Sequence, residues 1–390
     1  MRRYRFGSGT GRFVGNTEKF SVYEDVISIG PKPLEGKRYE RAPGEFSFSY
    51  GPLTGGLLES VAFDFETPGE LIKSVRVEPY SKVRTIAIKG LTPQDALLRV
   101  ERINGFHAAS HSIAYEMAVE DALGVEPPEG VLFSRIVMLE LERIRSNLLV
   151  VKRLCEPAGF GVPMNEVYYL TEKVSRLISA VSGHRYFFSS TYVGGCDIKV
   201  ENLATSIKGV AFEFEKIFDG LLQSKIFLNR LQNNGKTDHD SDLLGPSARA
   251  AGKRVDARDD ADILPYKDLG FNPVLFDEPD AFGRFYVRSI EIIRSAEIIE
   301  NAVNLCSNGP QRRGVTDSGE GAARVESPQG DLFYYVKIDR GVIEDVQISS
   351  PSLLNINAFK KSMVGNIFTD YHFNWESFGI WVSELAVVLT

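Results

Sequence analysis

Cysteine is scarce in this 390-residue chain, whose three cysteines, Cys155, Cys196 and Cys306, lie far apart and form no Cys-x-x-Cys pair. Disulfide frameworks, iron–sulfur clusters and structural zinc sites need more thiols or closer ones. The spacing therefore argues against each of them in this chain alone. The low cysteine count also fits a protein of the reducing cytoplasm.

Long apolar runs are missing as well. No segment reaches the roughly 18–20 apolar residues that cross a bilayer, and the apolar stretch 378–390 is interrupted by Ser383 and Glu384. The N-terminus carries no signal-peptide pattern. If a membrane is involved, partner subunits must therefore provide the attachment.

Positive charge is not in excess. The formal net charge is −7, which argues against a nucleic-acid partner because proteins that bind nucleic acids are usually basic. With 43% hydrophobic and 25% charged residues, the composition is that of a globular protein with one large core or two smaller ones.

Three regions of the chain differ in pattern. Residues 1–44 are polar and rich in glycine, and they predict an N-terminal arm. Residues 45–90 contain three alternating runs separated by turn signals, which predict a small antiparallel β domain. Residues 91–390 carry helical periodicity and, near 332–349, two alternating runs typical of a hairpin. The predicted fold class is therefore α+β, mainly helical.

Helical segments are predicted from capping residues and apolar spacing. Thr92-Pro93 begins the first segment, which breaks near Asn104-Gly105 and ends at Gly124. The later helical segments cover residues 132–154, 165–182, 203–231 and 280–305.

Polar residues that could carry chemistry cluster in the stretch ERINGFHAASHS, residues 101–112. On a continuous helix Asn104, His107 and His111 share one face. Such a face can hold a metal, relay protons or contact a ligand. The plainer interpretation is two histidines hydrogen-bonded inside a core. Two histidines with no third acidic or thiolate ligand make a weak metal site.

Two further stretches are candidates. The first, GPSARAAGKRVDARDD at residues 245–260, places Arg249 and other basic residues near three aspartates. It is either a solvated charged loop or a network that positions a buried site or docks a partner, and its small residues favour the network. The second, residues 324–330, predicts only a turn. The sequence contains no Gly-x-Ser-x-Gly elbow, P-loop or convincing hydrolytic triad.

Four motifs occur in a recognisable order: ERINGFHAASHSIAYEMAVE, SRIVMLELERIRSNLL, GPSARAAGKRVDARDD and VESPQGDLFYYV. In this order they resemble the large subunit of group 4, energy-converting nickel–iron hydrogenases and the homologous quinone-site subunit of respiratory complex I, its D-type or 49 kDa-type subunit. The resemblance covers roughly residues 45–384. It implies a helical core like that of a hydrogenase large subunit and a place in a membrane-bound, ion-pumping oxidoreductase complex.

The thiolates that hold the metals in this family are missing. Nickel–iron hydrogenases use two Cys-x-x-Cys pairs, because soft thiolates suit these metals. By the resemblance, the first pair falls on Asn104 and His107, and the second falls on Trp381 and Glu384. The chain is therefore expected to bind no metal and not to be an active nickel–iron hydrogenase.

The quinone-binding pattern of complex I is also incomplete. Its GPxHP loop, whose histidine helps to bind the quinone head group, falls on residues 51–56, which contain no histidine. This combination resembles the energy-converting hydrogenase-related group, one branch of which is the membrane-bound sulfane sulfur reductases. The resemblance leaves both quinone and polysulfide open as electron acceptors.

The resemblance implies a rebuilt acceptor site in the former nickel–iron cavity. Electrons would arrive from a 4Fe-4S cluster in a small partner subunit, and no cofactor is expected in this chain itself. The expected catalytic residues, as proton donors, are His107, His111 and Glu384. The expected substrate-binding residues are Asn104, Trp381, Arg84, Arg102 and Arg249.

The resemblance also implies an assembly. The expected partners are the small 4Fe-4S subunit, other peripheral-arm subunits, and antiporter-like and quinone-channel-type membrane subunits. The chain would lie peripherally on the cytoplasmic side of the membrane. The alternative is an inert scaffold subunit of the same complex, in which Phe106, Trp381 and other side chains fill the emptied cavity. A polar pocket at this position favours the enzyme, and a dry, filled core favours the scaffold.

Overall fold

The computed structural model describes residues 13–23, 27–29, 44–53, 57–238, 241–260, 262–310 and 317–390. Half of the chain is helical, and small antiparallel sheets lie beside the helices. The predicted class, α+β and mainly helical, is confirmed. Of the loop compared above with the quinone loop, residues 54–56 lie outside the described part.

Part of the predicted N-terminal arm packs against the body of the protein. Strands β1 (Phe13–Asn16), β2 (Phe20–Tyr23) and β3 (Ile27–Ile29) form an antiparallel sheet. Apolar side chains of β1 and β2 are buried there against Phe333 and Tyr335. This stretch is therefore packed rather than free. The rest of the predicted arm, up to residue 43, lies outside the described residues.

The three alternating runs form the predicted N-terminal sheet. Its strands are β4 (Phe46–Tyr50), β5 (Ala62–Thr67) and β6 (Ser74–Glu78), paired antiparallel in that order. Alternation along β5 turns Phe63 into a second, smaller core, where its ring centroid lies 4.9 Å from that of Trp375. This core joins the sheet to the C-terminal helices.

Helices build the centre of the molecule. The elements between this sheet and the next one are β7 (Arg84–Ile86), α1 (Pro93–Val100), α2 (Ala108–Leu123), α3 (Glu129–Cys155), α4 (Gly161–Ser182), β8 (Thr191–Tyr192), β9 (Gly195–Cys196), α5 (Leu203–Gln223), α6 (Lys225–Leu231), α7 (Gly245–Ala250) and α8 (Ala281–Ala302). The predicted break near Asn104-Gly105 separates α1 from α2. The segment predicted as one helix over 203–231 divides into α5 and α6. The cause is Ser224, which is extended and caps α6 by accepting a hydrogen bond from the Phe227 N–H at 3.3 Å.

A second antiparallel sheet follows α8. Its strands are β10 (Gly319–Ser327), β11 (Gly330–Asp339) and β12 (Val342–Ser349). β11 and β12 are the predicted hairpin, and they turn at Arg340 and Gly341, which have φ angles of 47° and 78°. β10 was not predicted, because small and charged residues replace the alternating apolar residues that mark a strand.

Helix α2 lies directly on β10 because two glycines face it. A Cβ atom at Gly319 would lie 2.0 Å from the backbone oxygen of Ala122, and one at Gly321 would lie 2.3 Å from that of Ala118. Any larger residue would force the helix away from the sheet. The contact therefore fixes the position of α2, which carries His111.

Candidate functional site

Two distant segments of the chain meet at the site. Helices α9 (Pro351–Ser362), α10 (Tyr371–Phe378) and α11 (Val382–Leu385) lead to the last strand, β13 (Val387–Leu389). This strand pairs in parallel with β7 and so brings the C-terminal segment beside the residues that follow α1.

Arg84 in β7 ties these two segments together. Its guanidinium donates hydrogen bonds to the backbone carbonyls of Arg102 and Ser383, both at 3.1 Å, and to that of Ile103. The guanidinium predicted to bind substrate is thus engaged by the backbones that lead to the site, and Arg84 acts there as a clamp.

The carboxylate of Glu384 is the centre of the site. Its Oε1 accepts a hydrogen bond from Nδ2 of Asn104 at 2.8 Å and lies 3.1 Å from Nδ1 of His107. Nε2 of His111 lies 3.5 Å from the same oxygen. The structure therefore brings four of the predicted site residues together around one buried carboxylate.

Two serines that the sequence patterns did not indicate complete the surroundings of Glu384. Its Oε2 accepts hydrogen bonds from the hydroxyls of Ser350 and, at 3.2 Å, of Ser352. Both serines lie at the start of α9, where Ser350 is the N-cap. No sequence motif points to them, because only the packing of α9 makes them neighbours of Glu384.

The surroundings of Glu384 set its charge. Burial acts to raise the pKa of its carboxyl, whose side chain is 3% exposed. Hydrogen bonds and charge from His107 and His111 outweigh burial and hold the pKa well below its ordinary value. Glu384 is therefore a carboxylate at neutral pH, with an imidazole on either side of it.

Each histidine is also held from its far side. Nε2 of His107 lies 3.0 Å from Oγ of Ser146, which accepts a hydrogen bond from Nε2 of Gln329 at 3.1 Å. Nδ1 of His111 lies 2.6 Å from the hydroxyl of Tyr334 on β11. Both rings thus have fixed orientations, and each ring nitrogen has a defined neighbour.

Asn104 reaches the site by a route other than the predicted helical face. Its backbone is extended, and its side chain caps the short turn Gly105–His107 by accepting a hydrogen bond from the Phe106 N–H at 3.1 Å. Its amide nitrogen then lies 3.2 Å from Nδ1 of His107. The break after α1, rather than helical spacing, makes these two side chains converge.

Trp381 covers one side of the cluster. Its ring stacks on that of Phe106 with 5.4 Å between centroids and meets the ring of His107 edge-on at 5.1 Å. The indole is partly exposed, whereas His107 is fully buried. Trp381 therefore stands between the histidine and the surface.

A narrow cleft reaches the site beside Trp381. Its lining includes Ser146, Glu59, Arg153 and Glu376, and its volume is about 30 Å³. This is room for one or two waters. Burial raises the pKa of both Glu59 and Glu376, and Nη2 of Arg153 lies 2.6 Å from the carboxylate of Glu376. The space beside the cluster is thus small but polar.

The other two arginines predicted to bind substrate are engaged away from Glu384. Arg102 is exposed, and its guanidinium lies 3.9 Å from the ring centroid of Phe188. Arg249 is fully buried and pairs with Glu291 and Glu326 at 2.7 Å each. Their role as substrate ligands stays a prediction, although their guanidiniums already have other partners.

The 245–260 stretch contributes to a buried charge network. Asp256 pairs with Arg249 at 2.9 Å, and both side chains are inaccessible. Arg288 lies beside this network, and burial lowers its pKa to about 9. Nη2 of Arg288 donates to Oε1 of Gln329 at 2.6 Å, and Gln329 in turn holds the serine next to His107. The side-chain amide of Gln329 therefore connects the charge network to the site.

A nickel–iron centre does not fit these donors. The four positions on which, by the resemblance, the hydrogenase thiolates fall hold an amide, an imidazole, an indole and a carboxylate, none of them a soft ligand. His107, His111 and Glu384 instead face one another. Within the described part of the chain, no group of three His, Cys, Asp or Glu side chains is arranged to hold a metal ion.

Comparisons with known proteins confirm the resemblance. The family described as respiratory-chain NADH dehydrogenase, 49 Kd subunit, matches residues 159–316. Membrane-bound hydrogenase subunit alpha of Pyrococcus furiosus is 27% identical over 352 residues, which cover 82% of each chain. The D-type subunit of the NADH-quinone oxidoreductase of Deinococcus radiodurans is 28% identical over 366 residues, which cover 82% of this chain and 89% of that one. The chain is thus related to oxidoreductase subunits of these two kinds, as predicted.

A solved structure confirms the fold. A chain of the membrane-bound sulfane sulfur reductase, an archaeal respiratory membrane complex, aligns with a TM-score of 0.81 at 21% identity, over 89% of this chain and 100% of that chain. Among the described residues, no helix combines the length and the apolar character needed to cross a membrane. The residues around Glu384 lie outside the 159–316 match, so their roles depend on geometry.

Proposed function

We propose that this chain is the metal-free large subunit of a membrane-bound, ion-pumping oxidoreductase, and that it passes electrons to an acceptor beside Glu384. The observation that carries the proposal is the carboxylate of Glu384 held between His107 and His111. By the resemblance, His107 and Glu384 fall on metal-ligand positions of the hydrogenases. Reduction of a quinone or a polysulfide consumes protons, and imidazoles next to a carboxylate can supply them.

The surrounding residues keep this proton donor in place. Asn104 holds Oε1 of Glu384, and Tyr334 holds the far nitrogen of His111. Trp381 shields His107 from bulk water. The donor atoms therefore need no rearrangement when a proton is transferred, which is how preorganised groups lower a barrier.

The acceptor would bind in the cleft beside Trp381. Arg153 provides positive charge there for an anionic intermediate. Part of the wall comes from residues 57–59, which lie between β4 and β5. Because the cleft has room for only one or two waters, this wall must move to admit an acceptor. Loop movement would thereby link acceptor binding to the rest of the complex.

The proposal includes the partners that the sequence predicts. Electrons come from a 4Fe-4S cluster in a small partner subunit, and this chain binds no cofactor. Other peripheral-arm subunits and antiporter-like and quinone-channel-type membrane subunits complete the complex, with this chain on the cytoplasmic side. The names of the relatives, one from a membrane-bound hydrogenase and one from a quinone oxidoreductase, support partners of this kind.

A second candidate function is an inert scaffold subunit of the same complex. The stacked rings of Trp381 and Phe106 and the small volume of the cleft favour it. The buried cluster around Glu384 favours the enzyme. A scaffold gains nothing from burying a carboxylate and two imidazoles, whose desolvation is costly.

Substitution at the cluster separates the two functions. In the assembled complex, with reduced ferredoxin as donor and polysulfide or quinone as acceptor, His107→Ala and Glu384→Gln are expected to slow reduction about 100-fold, the usual contribution of a general acid. The control is His372→Ala, since His372 lies outside the cluster, 3.4 Å from the hydroxyl of Tyr50. Wild-type rates in all three variants identify a scaffold.

A further inference from the structure

A second cleft adjoins Glu384. Its volume is about 320 Å³, and its walls come from the β1–β2 turn, the end of β12 and residues 384–389. This space has room for many waters, far more than the cleft beside Trp381. Ser350 lines this second cleft, whereas Ser146 lines the first. One serine hydroxyl therefore lies at each of the two clefts.

Two side chains, Glu384 and His107, connect these hydroxyls without a gap. Ser350 donates a hydrogen bond to Oε2 of Glu384, whose Oε1 lies 3.1 Å from Nδ1 of His107. Nε2 of the same imidazole lies 3.0 Å from Oγ of Ser146. Hydroxyls, carboxyls and imidazoles can all gain a proton on one side and lose one on the other. The chain can therefore carry protons from end to end.

We propose that protons for the reduction enter from the second cleft and pass through Ser350, Glu384, His107 and Ser146 to the acceptor. This route rests on the proposed function and adds the direction from which its protons come. A cleft water gives a proton to Ser350 as the serine's own proton moves to Oε2 of Glu384. With the resting proton of His107 on Nε2, the newly protonated carboxyl of Glu384 turns and gives its proton to Nδ1, becoming a carboxylate again, as the Nε2 proton passes through Ser146 to the acceptor. Every group gains one proton and loses one, while the electrons come from the partner's cluster.

Ser350 has the hydrogen-bonding capacity that the route requires. Its hydroxyl donates to Glu384 and accepts from the Ser352 N–H at 3.1 Å as the cap of α9. A hydroxyl has a second lone pair, which is available to a cleft water. Ser352 also donates to Glu384, but its oxygen accepts from the Trp381 N–H at 3.2 Å. Ser352 is therefore the matched control.

The test replaces Ser350 in the intact complex. Ser350→Ala is expected to slow acceptor reduction roughly tenfold and to enlarge the solvent isotope effect in D2O, because proton delivery becomes rate-limiting. Ser350→Thr keeps the hydroxyl and restores both values, and Ser352→Ala changes them little. Thr92→Ala removes the comparable cap of α1 and shows what a lost cap does alone.

The outcomes distinguish the route from the function it serves. If Glu384→Gln abolishes reduction while Ser350→Ala keeps the wild-type rate and isotope effect, the route is overturned and the site stands. If Glu384→Gln is itself fully active, the proposed function fails first.

Should the Ser350→Ala complex not assemble, Val388→Trp takes its place. Val388 is 39% exposed and lines the second cleft, so a bulky ring there blocks the opening. A wild-type rate and isotope effect in that variant also overturn the route.

Discussion

At the scale of single residues, the proposed acid–base role of Glu384 depends on how its carboxylate is held. The carboxylate is buried, and a buried charge is tolerated only when its oxygens are hydrogen-bonded. Asn104 and His107 on one oxygen and two serines on the other meet this requirement. In the proposed route, the same contacts that stabilise the charge also carry the protons.

A second buried carboxyl, Glu116 on α2, makes stability depend on pH. Burial, the main cause, raises its pKa to about 8, although Arg135 lies 3.5 Å away. The pKa of an unfolded glutamate is about 4.3. The folded chain therefore binds this proton more tightly, and the free energy of unfolding falls as the pH rises from about 4.3 to 8.

Glu116→Gln keeps the shape of the neutral side chain and is expected to remove this fall. Urea unfolding of the full chain at pH 5 and pH 8 measures the change in the free energy of unfolding. The wild type loses a few kcal/mol between these pH values, and the variant loses less. If the wild type and the variant lose the same free energy of unfolding, Glu116 is not the group responsible.

At the scale of elements, the contact between α2 and β10 fixes the site. Gly321→Ala places a methyl group 2.3 Å from a backbone oxygen of α2, so helix and sheet must separate. The expected cost is about 3 kcal/mol of unfolding free energy, with slower acceptor reduction because His111 moves with the helix.

The control is Gly209→Ala on the exposed surface of α5, where no atom lies within 4 Å of the new Cβ. That change is expected to stabilise the chain by about 0.5–1 kcal/mol. Thermal or urea unfolding that ranks the two variants the other way rejects this description of the interface.

The elements that the sequence predicts well are those with local signals. The start of α1 at Thr92-Pro93 and the hairpin turn at Arg340 and Gly341 follow from capping and turn chemistry. The strand β10 has no such signal, because close packing of small residues decides it. The break at Ser224 depends on one side-chain cap inside a stretch of continuous helical spacing, which hides it. A tertiary contact therefore overrides local preference at β10, whereas the cause of the break at Ser224 is local.

At the scale of the whole molecule, the site lies where separate parts of the chain are joined. The N-terminal sheet and the C-terminal helices share one core, and the central helices form another. The order of the motifs predicted that residues near 104 and 384 would meet, and they do. It could not predict Ser350 or Tyr334, which reach the cluster from α9 and from the second sheet. Predicting them requires knowing how the sheet and helices pack.

Reduction of an acceptor beside Glu384, without a metal in that place, is the proposal on which the others depend. The most direct test measures nickel content by elemental analysis and acceptor reduction on one preparation of the purified complex. We expect turnover with quinone or polysulfide, nickel far below one atom per complex, and loss of turnover in the Glu384→Gln complex. Nickel at one atom per complex, or undiminished turnover after Glu384→Gln, would contradict the proposal.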